Sequence, residues 1–132
     1  MSAAQIEAET AMAVILVVED EALLRMLAEG LIQGLGHQTF SAGDVDEALS
    51  LVRSPQHLDV LFTDIRLKAA TLGGFELAHA AIKLRPRLRV LYATGNSLTD
   101  KAKALFVEGA HFLPKPYVDH QLHSSIEAML AA

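Results

Sequence analysis

The chain of 132 residues has no cysteine, which removes a disulfide framework, a thiolate metal site and a cysteine nucleophile from consideration. Basic residues are missing where a targeting signal would need them. None precedes Arg25, and the opening MSAAQIEAETAM is acidic, unlike a secretory signal or a mitochondrial presequence. No apolar run is long enough to cross a bilayer, the longest being AMAVILVV. Eleven Lys and Arg against sixteen Asp and Glu give a net charge of −5. That is the wrong sign for a chain that grips phosphate backbones, so direct nucleic-acid binding is disfavoured. A cytoplasmic location with no membrane partner is the expectation. Apolar residues, by contrast, are plentiful at 52%, ample for one domain with helices packed over a sheet. Residues 1–12 are expected to be a flexible extension and residues 13–132 the domain.

Two patterns alternate five times along the chain. AVILVV (13–18) is a continuous β-branched run, as expected of a strand covered on both faces. EALLRMLAEGLIQGL then places Leu24, Leu27, Ala28, Leu31 and Leu35 on one helical stripe, with Gly36 as a stop signal. HQTFSA is less apolar and suits an edge. DVDEALSLV follows, with Asp44 as N-cap and Val45, Ala48, Leu49 and Val52 at helical spacing. LDVLFTD is the third strand, and a loop ending in Gly73 and Gly74 leads to the helix FELAHAAIKLR, stopped before Pro86. LRVLYAT is the fourth strand. SLTDKAKALFVEG is the fourth helix, capped by Ser97 or Thr99, AHFLPKP the fifth strand, and YVDHQLHSSIEAML the last helix, with Val118, Leu122, Ile126 and Leu130 on one face. Five βα units with right-handed crossovers make an α/β fold, a doubly wound parallel sheet between helix layers.

LFTDIRL (61–67) sets a carboxylate at the end of a core strand. An unpaired buried charge there would cost several kcal/mol, so Asp64 is turned outward or used. In such sheets ligands bind beyond the carboxyl ends of the strands. Those ends carry Glu19 and Asp20, Asp64, Thr94 and, around the fifth strand, Lys115. At an effective dielectric of about 20, two like charges roughly 4 Å apart repel by about 4 kcal/mol. A hard divalent cation suits an oxygen-only site, and Mg²⁺ takes one or two carboxylates and keeps a position for a phosphate oxygen. Asp20 and Asp64 are the natural ligands, with Glu19 reaching the metal or one of its waters. Lys115 and Thr94 would meet the remaining oxygens of a phosphoryl group on Asp64.

VVEDE, LFTDIRL, LYATG and FLPKPY, in this order and at these separations, make residues 13–131 resemble the receiver domain of two-component response regulators. The resemblance implies a flavodoxin-like (βα)5 sheet of strand order 2-1-3-4-5. It implies that Asp64 accepts a phosphoryl group from a histidine kinase or histidine phosphotransfer protein. Glu19 and Asp20 would be the acidic pair for Mg²⁺, the carbonyl of Arg66 would complete the metal shell, Thr94 would be the switch hydroxyl, Lys115 the phosphate-binding lysine and Phe112 the aromatic switch. The signalling surface would be the fourth-helix, fifth-strand and fifth-helix face, with no output domain attached and the downstream partner unnamed. The ring of Phe112, lacking a hydroxyl, is expected to lie inward. Three features depart from the family pattern. Lys68 stands where many receivers have proline and the loop after it is two residues longer, Gly95 in ATG replaces a frequent alanine, and Tyr117 replaces a frequent phenylalanine.

Plainer readings compete with these. Asp64 alone could be a turn residue, the acidic run at 19–21 could favour the dipole of the first helix, and Phe112 could simply be core. His120 and His123 share a helical face, but no third ligand stands at ligand spacing. GLG (34–36) is a helix end. Met12, Met26 and Met129 suit edge and core packing. An Mg²⁺-dependent aspartyl-phosphate phosphohydrolase is the alternative function. Such enzymes need a second carboxylate two residues after the nucleophile, where Arg66 stands. The chain is therefore expected to be a phosphoacceptor and not an enzyme, beyond self-catalysed transfer and dephosphorylation. A flavodoxin-like cofactor binder would need a phosphate-cradling loop after the first strand, where EDEA would repel a phosphate.

Overall fold

A computed structural model of the protein describes residues 12–67, 73–95 and 98–131. The expectations for residues 1–11, for the loop at 68–72 and for Ser97 lie outside these. Five parallel strands form one sheet in the order 2-1-3-4-5: β1 (Val14–Val18), β2 (Gln38–Ala42), β3 (Val60–Asp64), β4 (Arg89–Thr94) and β5 (His111–Pro114). The helices are α1 (Ala22–Gly34), α2 (Val45–Arg53), α3 (Gly73–Leu84), α4 (Asp100–Lys103) and α5 (Asp119–Ala131). This is the doubly wound flavodoxin-like sheet that the alternating patterns predict.

β1 is apolar at every position because both its faces are covered. Side chains alternate across a strand, so Ile15 and Val17 enter a core with Ala28 and Ile32 of α1 and Leu122, Ile126 and Met129 of α5. Leu16 and Val18 enter a second core with Ala48 and Val52 of α2 and Leu77, Ala78 and Ala81 of α3. Local signals set the element ends. Asp44 caps α2 by accepting the Glu47 N–H at 2.8 Å, and Gly36 leaves α1 with a φ of 96° that only glycine adopts readily. Arg85, just past α3, donates to the carbonyls of Val52 and Ser54, both at 2.8 Å, and so satisfies the end of α2.

The structure corrects four sequence expectations. On α1, Ala28 of the predicted stripe is buried, with Ile32 from outside it, whereas Leu24, Leu27 and Leu31 of the stripe are exposed with Leu23 and Met26. The helix is apolar over more than half its circumference, so periodicity alone could not choose its inner face. Gly73 and Gly74 open α3 instead of ending the loop before it. Val118, expected on the inner face of the last helix, precedes α5 and is exposed, while Leu122 and Ile126 of that face are buried. The fourth helix is a single turn, capped by Thr99, whose hydroxyl accepts the Ala102 N–H at 3.0 Å. After it Leu105 and Phe106 donate to Ala102 and Lys103, three residues back, and the Val107 N–H donates to the Tyr92 hydroxyl at 3.2 Å instead of continuing a helical ladder. This lets Phe106 reach Tyr92 and Phe75, with ring centroids 4.6 Å and 5.8 Å away.

Tyr92 therefore holds a buried donor as well as packing. Tyr92→Phe keeps the ring and strands the Val107 N–H, which costs roughly 1–3 kcal/mol. Urea unfolding of the variant should show a lower midpoint at unchanged slope; an unchanged midpoint would mean that this bond does not fix residues 104–107.

Candidate functional site

The register of the sheet assembles the polar residues. Val18 of β1 is paired with Thr63, so Glu19, one position further on, is level with Asp64. Asp64 is in turn paired with Ala93 and followed across the sheet by Thr94, itself paired with Pro114. Lys115 is the next residue, and its N–H donates to the Thr94 carbonyl at 3.0 Å. The peptide bond between Lys115 and Pro116 is cis. Four strand ends thus deliver their side chains to one edge.

At that edge the Lys115 ammonium donates to Asp64 Oδ2 at 2.9 Å and to Glu19 Oε1 at 3.1 Å. The other Glu19 oxygen accepts the Asp20 N–H at 3.0 Å. Oxygens of Glu19, Asp20 and Asp64 lie within 4.8 Å of one another, a donor set made only of carboxylates, as a hard divalent cation requires. Burial raises the Glu19 carboxyl to about 7, outweighing the nearby Lys115 charge. Burial works against the Lys115 charge too, but hydrogen bonding and attraction from Asp64, and then Glu19, raise its pKa above the ordinary value. Thr94 is buried beside this cluster, Arg66 is exposed and lines the pocket that Asp20 and Asp64 share. Phe112 stands apart from it: half-buried on the α2–α3 side of the sheet, its ring centroid is 6.3 Å from that of Phe106.

Three features of the site were not read from the sequence. Arg25, the sole basic residue of α1, donates through Nη1 to the Glu19 carbonyl at 2.7 Å and so fixes the backbone of the acidic pair. Gly74 lets α3 begin against β3: a Cβ there would overlap the Asp64 carbonyl oxygen and lie 2.7 Å from Ile65 Cα. The paired glycines at 73–74 were the available signal. The third is an apolar groove of about 500 Å³ that runs from Asp64 and Lys115 along α1, lined by Leu24, Leu27, Leu31, Phe62 and Tyr117.

A sequence profile of the response regulator receiver domain matches residues 15–127. The chain belongs to the response regulator receiver domain family. The sequence is 27% identical over 121 residues to hybrid signal transduction histidine kinase K of Dictyostelium discoideum, covering 86% of this chain and 10% of that protein. This receiver domain spans from about a tenth to about half of the length of the first curated relatives it matches. Among solved structures it resembles a receiver domain protein of Clostridium thermocellum, with a TM-score of 0.80 and 26% identity over 90% of this chain and 94% of that one. It shares its fold, at a TM-score of 0.76 and 19% identity over 91% of this chain and 98% of the other, with the receiver domain of a sensor histidine kinase from Pseudomonas aeruginosa, whose structure holds a magnesium ion in the active-site cleft. No helix among the described residues is long and apolar enough to cross a membrane.

The raised Glu19 predicts how the metal-free receiver domain responds to pH. The folded protein binds this proton more tightly than the unfolded chain, whose value is near 4.5. The stabilisation is therefore full below about 4.5 and lost as pH rises through about 7. In thermal melts without divalent ions, Glu19→Gln should remove a fall in Tm that the wild type shows across neutral pH. Identical pH profiles would show that Glu19 is ionised throughout.

Proposed function

We propose that this receiver domain is a phosphorylatable signalling switch whose acceptor is Asp64, charged by the phosphohistidine of a histidine kinase or histidine phosphotransfer protein. The observation that carries this reading is the Lys115 ammonium set between Asp64 and Glu19 at the mouth of a three-carboxylate cluster. In the transfer the P–N bond of the phosphohistidine breaks, a P–O bond to Asp64 forms and the departing imidazole takes up a proton. Glu19, Asp20, Asp64 and the carbonyl of Arg66 are the residues that would hold Mg²⁺, which supplies positive charge opposite the transferred oxygens. Lys115 exchanges a carboxylate partner for a phosphoryl oxygen. Thr94 gains a charge-assisted hydrogen bond to the new group, and Phe112 on the adjacent strand responds, passing the change to the α4-β5-α5 surface. Arg66 stands where a phosphohydrolase would carry its acid-base carboxylate, which favours a regulatory acceptor over a turnover enzyme.

Asp64→Asn should take up no phosphoryl group from a small phosphodonor with Mg²⁺ under intact-mass detection, while the wild type takes up one. Thr94→Ala should be phosphorylated as the wild type is, yet lose the amide shift changes at residues 98–113. A gain on Asp64→Asn would move the acceptor elsewhere, and unchanged shifts in Thr94→Ala would route the coupling around that hydroxyl.

The approach of the donor follows from the groove. The transferring phosphorus must come within roughly 3–3.5 Å of Asp64, and the surface next to that mouth is α1. Leu23 is 68% exposed, Met26 67% and Leu27 57%, with the partly exposed Leu24 and Leu31 beside them. A helix with an apolar ridge, borne by the donor protein, would cover this face while presenting its histidine to Asp64. Leu27→Glu should slow transfer from a cognate donor protein about tenfold or more and leave phosphorylation by a small phosphodonor unchanged. Equal rates from the donor protein would remove α1 from the docking surface.

A further inference from the structure

At the edge of the sheet opposite Asp64, His37 is only 6% exposed. It sits immediately before β2, and its Nδ1 accepts the backbone N–H of Ala13 at 2.9 Å. The next residue, Gln38, donates its N–H to the Ala13 carbonyl, also at 2.9 Å. Both backbone groups of the residue that leads into β1 are thus held by two consecutive residues of the neighbouring strand's approach. On the other side of β1, Asp59 Oδ2 accepts the Val14 N–H at 2.8 Å while its Oδ1 pairs with His57 Nε2 at 2.8 Å. The entry of β1 is therefore fastened by side chains, one from each flank.

The bond to Ala13 fixes the chemistry of the ring. A nitrogen that accepts an N–H carries no proton, so the neutral His37 ring carries its proton on Nε2. Nε2 is buried and has no hydrogen-bond partner among the described residues, and the same holds for Nδ1 of His123 on α5. A metal on Nε2 would need the ring to surrender its only proton, because the second nitrogen is already an acceptor, whereas ligating histidines donate from theirs. The pair is thus not a metal site. The charged and titratable groups that bear on the ring are Glu127 and His123 of α5 and Asp59 ahead of β3. A second proton on His37 would sit on Nδ1 and point at the Ala13 N–H, two donors face to face.

We propose that His37 is a proton-operated latch on the entry of β1: the neutral ring holds the Ala13 N–H, and protonation releases it and loosens the start of β1 from β2. The latch is separate from the phosphorylation chemistry and stands whether or not Asp64 is the acceptor. Burial lowers the pKa of His37 from its ordinary 6.5, ahead of the effects of Glu127, His123 and Asp59. Its contribution to stability is therefore complete above 6.5 and lost as pH falls through the folded value. Glu19 titrates with the opposite sign, so a local measurement at Ala13 and a comparison with His37→Asn are needed. The Asn Oδ1 takes the place of Nδ1 and accepts an N–H at any pH.

The test is hydrogen exchange at the Ala13 amide, expressed as protection relative to Leu61 in β3, at about pH 7.5 and about pH 5.5, together with the ring ¹⁵N spectrum of His37. The latch predicts a proton on Nε2 at neutral pH, and a fall of roughly tenfold or more in relative Ala13 protection as the ring titrates. It also predicts no such fall in His37→Asn. A ring proton on Nδ1 at neutral pH, a ring that stays neutral until the protein unfolds, or unchanged Ala13 protection while the ring titrates would each overturn it. An equal fall in His37→Asn would do the same. If that variant does not fold, the two wild-type readouts decide alone.

Discussion

The Lys115 ammonium between Asp64 and Glu19 is the contact on which the functional edge of this domain depends. It joins the end of β5 to the ends of β1 and β3 across the sheet, at 2.9 Å and 3.1 Å, and it is the positive charge that lets carboxylates approach one another at a largely buried site. The Lys115 ammonium bonds two of the three clustered carboxylates, Asp64 and Glu19. Burial prevails over the attraction of Lys115 and raises the pKa of Glu19, so holding a negative charge there is costly. A site in this condition favours whatever brings more positive charge. A divalent cation fits it better than a second lysine, because it can take one or two carboxylates directly, reach the third through a water and still offer a position to a phosphoryl oxygen. Arg25 adds to the same end from behind, by holding the Glu19 carbonyl.

The two edges of the sheet are specialised by the same topology. Because all five strands run in parallel, every strand end that carries a reactive side chain points one way and every strand entry the other. The exit edge collects charge and the apolar groove. The entry edge is closed by side-chain bonds, from His37 and Asp59, to backbone groups that the sheet ladder leaves over. The carboxylate cluster at Asp64 and the fastening of the entry of β1 are thereby kept a full strand length apart.

Much of this was legible in the sequence because the signals were local or followed from connectivity. The β-branched runs gave the strands, Asp44 and Gly36 gave helix ends, and the rule that ligands bind beyond strand exits gathered Glu19, Asp20, Asp64, Thr94 and Lys115 before any distance was known. What escaped notice depends on three-dimensional packing. An apolar helix such as α1 has no pattern that says which of its leucines face water, and Ala28 and Ile32 were chosen by their fit to Ile15 and Val17. Met26, expected in packing, is exposed for the same reason. The bonds of Arg25 to Glu19, of Tyr92 to Val107 and of His37 to Ala13 link residues that no motif connects.

The shortness of α4 bears on how a change at Asp64 could travel. A long helix after β4 would be held by its own ladder of backbone bonds and would resist displacement. Here one turn is followed by residues 104–107, which are held by backbone bonds to the preceding turn, by His79 Nε2 at 2.8 Å from the Leu105 carbonyl, by the Tyr92 hydroxyl and by the edge-on and tilted rings of Phe75, Tyr92 and Phe106. Phe112 touches the edge of this stack, and Tyr92 lies two residues before Thr94 on the same strand. A shift of Thr94, if it occurs as proposed, would act on this segment through a ring cluster that joins β4, β5 and the turn beyond α4.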